Sequence, residues 1–397
     1  MRLETKFSIC ASDVHAIAMD WIQRHLKFQD YSKKCLSSMI LSVLLFAASR
    51  IRSVHDACQR LRRAPSDETI RQALKATLPD NKELHRRVNS ALADRLPKSF
   101  FRRGQRVAMD LTEIPYHGQE YRDEQEIRRG KPKSGTSHFH VYATAYVCQK
   151  GHRFTLAVVR VLKGEKMESV VKQLLRRVRA SGVKVRFLLL DKGFFSAEVV
   201  RYLQRARCPF LTPAFARGRK RKTPLPGSLH ELASRKQSGW ASYSWQSQRG
   251  TRATVQIAIS CKNYAGQRER RGRRTRLYAY WGLTPGSTDW VSETYRKRFG
   301  IETTYRQMHE VRIRTSSRDP LLRFLFVAIA LILRNIWVWC HLNWLALRRG
   351  RGVIIRDELL RLGELMLWLQ CLILQELGLN DSKQIPRPPS QPTNPNT

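Results

Sequence analysis

From residue 12 to about 95 the apolar positions recur at helical spacing. The stretch ILSVLLFAASRIRSVHDACQRLRR, starting at Ile40, is apolar on one face, and PSDETIRQALKATLP, starting at Pro65, opens with a helix-start signature. There Ser66 is the cap candidate, with Asp67 and Glu68 in the first turn. Short helices joined by small turns, with arginines between them, fit a helix-turn-helix-like unit and an ordinary helical bundle equally well.

At Arg106 the period changes. RVAMDLTEIPYHG alternates as a strand does, SHFHVYATAYVC (137–148) is aromatic and β-branched, and RFTLAVVRV (153–161) follows across a QKGH turn, which predicts a hairpin. A helix over 166–182, a strand over 184–190, a helix over 196–206 and a short strand over 209–213 complete the run. Three strands, helix, strand, helix, strand is the order of a ribonuclease-H-like α/β core, a meander continued by crossover helices. Residues 214–287 break that rhythm: strand-like WASYSW, ATVQIAISC and RLYAYWGL lie among the basic runs ARGRKRKTP and RERRGRRTR. The predicted layout is a helical domain over 1–97, which is the expected DNA-binding domain. It is followed by an α/β core over 98–213, a basic β-rich insertion over 214–287, core completion with C-terminal helices over 288–378, and a Pro- and Asn-rich tail over 379–397 read as disordered.

Charge then narrows the class. Lys and Arg number 73 against 32 acids, a formal +41, while 42% of the 397 residues are hydrophobic. A folded chain with so positive a field points to a polyanion, nucleic acid first. The basic runs, including Arg219, Lys220, Arg221, Arg271, Arg273 and Arg274, are read as phosphate contacts rather than plain solvated loops. Eight scattered cysteines without a CxxC pair argue against a structural zinc site and for a reducing cytosol. The N-terminus shows no apolar signal-peptide core. Phe324–Leu347 is long enough to span a bilayer, but Arg334 interrupts it, so a buried core helix and no membrane partner are expected.

In a chain short of acids, their placement is informative. Asp110 sits inside the first strand of the α/β unit, and Asp191 ends the fourth, in LLLDKGFFS. An acid at a strand end is commonly a turn residue. Two acids at matching places in neighbouring strands fit a divalent metal site better. After the insertion, TDWVSETYRKRFGIETTYRQMHEVR reads as one helix. At about 100 degrees per residue it would gather Tyr295, Arg298, Glu302 and His309 within about 60 degrees of one face. A glutamate framed by arginine, tyrosine and histidine suits a phosphate-and-metal site.

These residues carry a resemblance. The chain resembles DDE transposases of the insertion-sequence type, whose signature Y-x2-R-x3-E-x6-K reads here as Tyr295, Arg298, Glu302 and, in place of lysine, His309. DLTEIPYHG, DKGFFSAEVVRYL and LLRFLFVAIALILRNIW belong to the same likeness, which spans about residues 100 to 345. It implies Asp110, Asp191 and Glu302 as catalytic carboxylates holding two Mg2+ ions, with Mn2+ able to substitute. It also implies a β-rich insertion before the glutamate, and phosphate contacts from Tyr295, Arg298 and Lys192. Neutral imidazole at His309 is a poor substitute for a fixed cation. Trp281 and Trp290, just ahead of the glutamate, are read first as core packing and, through the resemblance, as platforms for an extruded base. The implied activity is cleavage at transposon ends and joining of the 3'-hydroxyls to target DNA, by a homodimer on double-stranded DNA in a prokaryotic, nucleoid-associated cytoplasm. The alternatives are a ribonuclease-H-like nuclease without strand transfer and a catalytically silent DNA-binding descendant.

Overall fold

The computed structural model describes residues 8–119, 124–149, 151–216, 223–264, 272–349, 352–354, 356 and 358–382. Six helices come first: α1 (Ala11–Leu26), α2 (Ser37–Ser49), α3 (Val54–Arg60), α4 (Asp67–Thr77), α5 (Asn81–Ala93) and α6 (Lys98–Arg102). Ser66 caps α4 as the sequence predicts, accepting from the Thr69 amide at 3.1 Å. Next come β1 (Gln105–Pro115), β2 (Arg128–Lys133), β3 (Thr136–Val147), β4 (Thr155–Val161), α7 (Met167–Ala180), β5 (Val185–Leu190), α8 (Ala197–Arg205) and β6 (Phe210–Ala214). The predicted insertion contributes α9 (Leu229–Ser234), β7 (Gly239–Gln246), β8 (Arg252–Tyr264) and β9 (Gly272–Trp281). The chain continues with α10 (Thr288–Arg296), α11 (Gly300–Glu310) and α12 (Pro320–Cys340), then a small hairpin of β10 (Leu347–Arg349) and β11 (Gly352–Ile354), and α13 (Leu362–Leu377).

One strand escaped the sequence reading. β2, RRGKPK, is almost wholly exposed and has no apolar face to betray it; it exists because it borders the start of β3. Asp191 therefore follows the fifth strand, not the fourth. β1 to β9 form a single sheet, ordered β2-β3-β1-β5-β6-β9-β8-β7, with β4 also on β3. β1 runs parallel to β5 and β5 parallel to β6, while β9 joins β6 antiparallel, so the insertion's strands prolong the core sheet.

Both faces of this sheet are covered, which is why β5 reads as an unbroken apolar run. Alternation sends Met109, Leu188 and Leu190 into a core shared with α7 and α8. Ala108, Phe187 and Leu189 go to the other side, against Val291, Tyr295 and Ile301 of α10 and α11. The N-terminal helices do not stand apart: Trp21, Leu44 and Val88 share a third core with α12 and α13.

α12 is long and apolar enough to cross a membrane, yet 89% of its most apolar window is buried inside the protein. Its polar residues explain the difference. Asn335 takes the Thr155 amide at 2.9 Å and donates to the Thr155 carbonyl at 2.8 Å, and the Arg334 guanidinium donates to Gln307 at 3.1 Å and to the Arg153 carbonyl. On α5, Asn89 treats Val158 as Asn335 treats Thr155, with both bonds at 3.0 Å. Two carboxamides thus stand in for a missing neighbour strand along the open edge of β4. Asn89→Ala should leave a buried amide and carbonyl of Val158 unpaired and cost about 1 to 3 kcal/mol. Urea unfolding of the variant should show a lower midpoint at an unchanged slope.

Candidate active site

The register pairs Met109 with Leu190, so Asp110 and Asp191 leave adjacent parallel strands side by side. By alternation both carboxylates fall on the face covered by α10 and α11. Arg298, only 6% exposed, lies between them. Its Nη1 meets Asp110 Oδ2 at 2.7 Å and its Nη2 meets Asp191 Oδ1 at 3.1 Å. The second Asp110 oxygen accepts from the Leu111 amide at 2.8 Å, and Asp191 Oδ2 accepts more loosely from the Gly193 amide at 3.4 Å. The Tyr295 hydroxyl donates to the Leu190 carbonyl at 3.3 Å, and its ring lies under the guanidinium, 5.4 Å from centroid to Cζ. Tyr146 donates to the Arg298 carbonyl at 2.9 Å, fixing the backbone from the opposite side.

Burial pushes Asp110 up to about 6, against the pull of Arg298 and with a further push from the Asp191 charge. Tyr295 is also raised well above the usual phenol range by burial.

The expected single helix from Thr288 to Arg312 is broken. Lys297–Phe299 form a 3-10 turn between α10 and α11. Gly300 begins α11 where a β-carbon would stand 3.0 Å from Arg153 and 3.1 Å from the Tyr146 hydroxyl, so the helix closes tightly onto β3. The outcome divides the predicted four. Tyr295 and Arg298 reach the aspartates, whereas Glu302 is exposed; among the described residues no three His, Cys, Asp or Glu side chains converge on one metal position. His309 is half-buried and held down at about 4 by burial, with Arg312 and Lys133 adding to it, so it is neutral at pH 7 and supplies no cation.

The other predicted residues scatter. Lys192 is exposed in the turn after Asp191. Arg219, Lys220, Arg221 and Arg271 lie outside the described residues, Arg273 and Arg274 are on β9, and Arg274 is exposed. Trp281 ends β9 opposite Phe210 and packs on the core, while Trp290 is 39% exposed on α10. Sequence reasoning missed Thr144, directly opposite Asp110, whose hydroxyl meets that of Tyr305 at 2.8 Å. Only the strand register could have revealed it.

The model of the transposase DDE domain matches residues 102–336, which contain the two aspartates, the arginine between them and Glu302. The chain belongs to the transposase DDE domain family. No curated protein matches it. Among solved structures this chain is similar to the piggyBac transposase in a synaptic complex with hairpin DNA. The TM-score is 0.54 at 10% identity, over 95% of this chain and 82% of that one, a likeness of fold.

DDE transposases generally use divalent metal ions, and the donors here suit one. Two hard carboxylates on rigid neighbouring strands are aimed at a single positive charge, now a guanidinium. Arg298→Ala should leave both acids uncompensated and cost about 3 kcal/mol at pH 8. Because the folded state holds the Asp110 proton up to about 6, against 3.8 ordinarily, that proton favours folding below 3.8 and the benefit fades as pH rises through 6. The loss in Arg298→Ala should therefore shrink at pH 5, where Asp110 is protonated, and urea melts at the two pH values measure it.

Proposed function

We propose that this chain is a transposase that cleaves DNA at transposon ends by metal-dependent phosphodiester hydrolysis and joins the freed 3'-hydroxyls to target DNA. The observation that carries this reading is the convergence of Asp110 and Asp191 from parallel neighbours β1 and β5 onto one cation. The strand order β4-β3-β1-β5-β6, with the first three antiparallel and the rest parallel, supports a ribonuclease-H-like core. The similar fold of the piggyBac transposase, seen in a synaptic complex with hairpin DNA, supports DNA as the partner; double-stranded ends paired by a homodimer belong to the transposase reading itself.

Asp110, Asp191 and Glu302 would hold Mg2+, two ions in the full site, or Mn2+. The metal would supply an activated water, then an activated 3'-hydroxyl, and neutralise the leaving oxygen. Arg298 keeps the two carboxylates charged and close together in the meantime. Displaced from them, the same guanidinium would bind the scissile phosphate, for which its planar fork is suited. Tyr295 holds the Asp191 strand end through the Leu190 carbonyl and keeps Arg298 over its ring. Tyr295, Arg298 and Glu302 support the insertion-sequence signature Y-x2-R-x3-E, with neutral His309 departing from it. The reading places the protein at the nucleoid in a prokaryotic cytoplasm.

One observation favours a second reading, a silent DNA-binding descendant: the exposure of Glu302. A single assay separates the two. Incubated with its element ends, target DNA and Mg2+, the protein should yield nicked and joined products. Asp191→Asn should lower both by more than about 100-fold. Binding without any metal-dependent nick would establish the silent reading, and nicking without joined product would make the protein a nuclease.

A further inference from the structure

Beside the aspartates, the insertion and α10 build a second cavity. Strand alternation puts Ser260 and Lys262 of β8 on the same face as Arg274, Arg276 and Tyr278 of β9, the face turned toward α10. On α10, Ser292 and Arg296 share one side at i,i+4 spacing, and Phe299 lies beyond them in the 3-10 turn. These residues enclose a cavity of about 360 Å³, and among the described residues lining it none is acidic.

Ser260 pairs with Arg276, and Lys262 stands directly opposite Arg274, a like-charge cross-strand pair that destabilises a sheet. Asp289 meets Lys262 Nζ at 2.9 Å. The polar floor is already ordered, for Ser260 and Ser292 are buried at 3% and 5% exposure, while Arg276 and Arg296 remain exposed at the mouth. Four cations, two hydroxyls and an aromatic wall of Tyr278 and Phe299 make a receptor for a phosphate group, with a ring face for the attached nucleotide.

The cavity is tied to the acidic pair by contact. The Tyr278 ring lies 5.4 Å from that of Tyr295, and Tyr295 bonds the carbonyl just before Asp191. We infer that this cavity is a phosphate-binding site that grips the DNA strand next to the phosphate presented to Asp110 and Asp191. The inference rests on the transposase reading and deepens it by adding Lys262, Arg276 and Arg296, with the Ser260 and Ser292 hydroxyls, to the strand's track.

The test pairs two probes on the full chain. In the first, duplex DNA binding is followed across a salt series for the wild type, Arg276→Gln/Arg296→Gln, Arg276→Lys/Arg296→Lys and a control, Arg201→Gln/Arg205→Gln on α8. Each cation withdrawn from a DNA phosphate reduces the slope of log affinity against log salt by about 1. The glutamine pair should lower the slope by about 1 to 2, the lysine pair should keep it, and the control should change it less. In the second, inorganic phosphate at constant ionic strength should raise the melting temperature of the wild type and not of the glutamine pair.

An unchanged slope in the glutamine pair, or an equal drop in the control, overturns the inference while leaving DNA binding intact. A phosphate-dependent melt with an unchanged slope also overturns it, assigning the cavity to free phosphate. A wild type that binds no DNA at all defeats the transposase reading itself.

Discussion

A guanidinium buried between two carboxylates is the constraint on which the rest of the site depends. The register of β1 against β5 forces Asp110 and Asp191 together, and two like charges that close must be answered by a cation or lose one charge to a proton. Arg298 answers them, and the local chain bends to let it. The 3-10 turn at Lys297–Phe299, the close approach at Gly300 and the Tyr146 bond to the Arg298 carbonyl all serve to bring that one side chain inward. Glu302, one turn further along, is exposed. The arrangement is a cation site in which the protein supplies its own cation, so a metal ion entering it would compete with Arg298 for the same oxygens.

The sheet gives this pair its rigidity. Eight strands run without a break from β2 to the insertion's outer strand β7, with β4 joined to β3 beside β2, and helices cover both faces around the aspartates. The insertion is therefore mechanically continuous with the strands that hold the acids. At the β4 edge, Asn89 and Asn335 take the place of a further strand, so the buried backbone there is satisfied by side chains from α5 and α12. That is also why α12 can look like a membrane span and act as a core helix: Arg334 and Asn335 are partnered by protein at the very point where a bilayer would offer nothing.

Part of the excess of positive charge gathers at one place in this frame. On the face that carries the acidic pair, β8, β9 and α10 turn a lysine and three arginines toward one cavity. The acids and the cations are thus segregated to adjoining positions on one surface. Acids beside a cluster of cations is the arrangement a polyanionic strand would require if one of its phosphates were attacked while its neighbours were held.

Much of this was legible in the chain. The apolar run Phe187–Leu190 ending on Asp191, the alternation around Asp110 and the capping serine Ser66 are local patterns, and local patterns fix elements because side-chain period and backbone hydrogen bonding are decided within a few residues. The order of strands and helices, the two aspartates and the core role of Phe324–Leu347 came from them. What the chain could not specify was anything set by contact across it. β2 has no apolar face and exists only through its pairing with β3, and Thr144 joins the site only through the register that places it opposite Asp110. Tyr295, Arg298, Glu302 and His309 share a face on an ideal helix, and only the folded chain shows Tyr295 and Arg298 buried and Glu302 exposed. Local periodicity therefore named the chemical groups, while tertiary packing chose which of them meet.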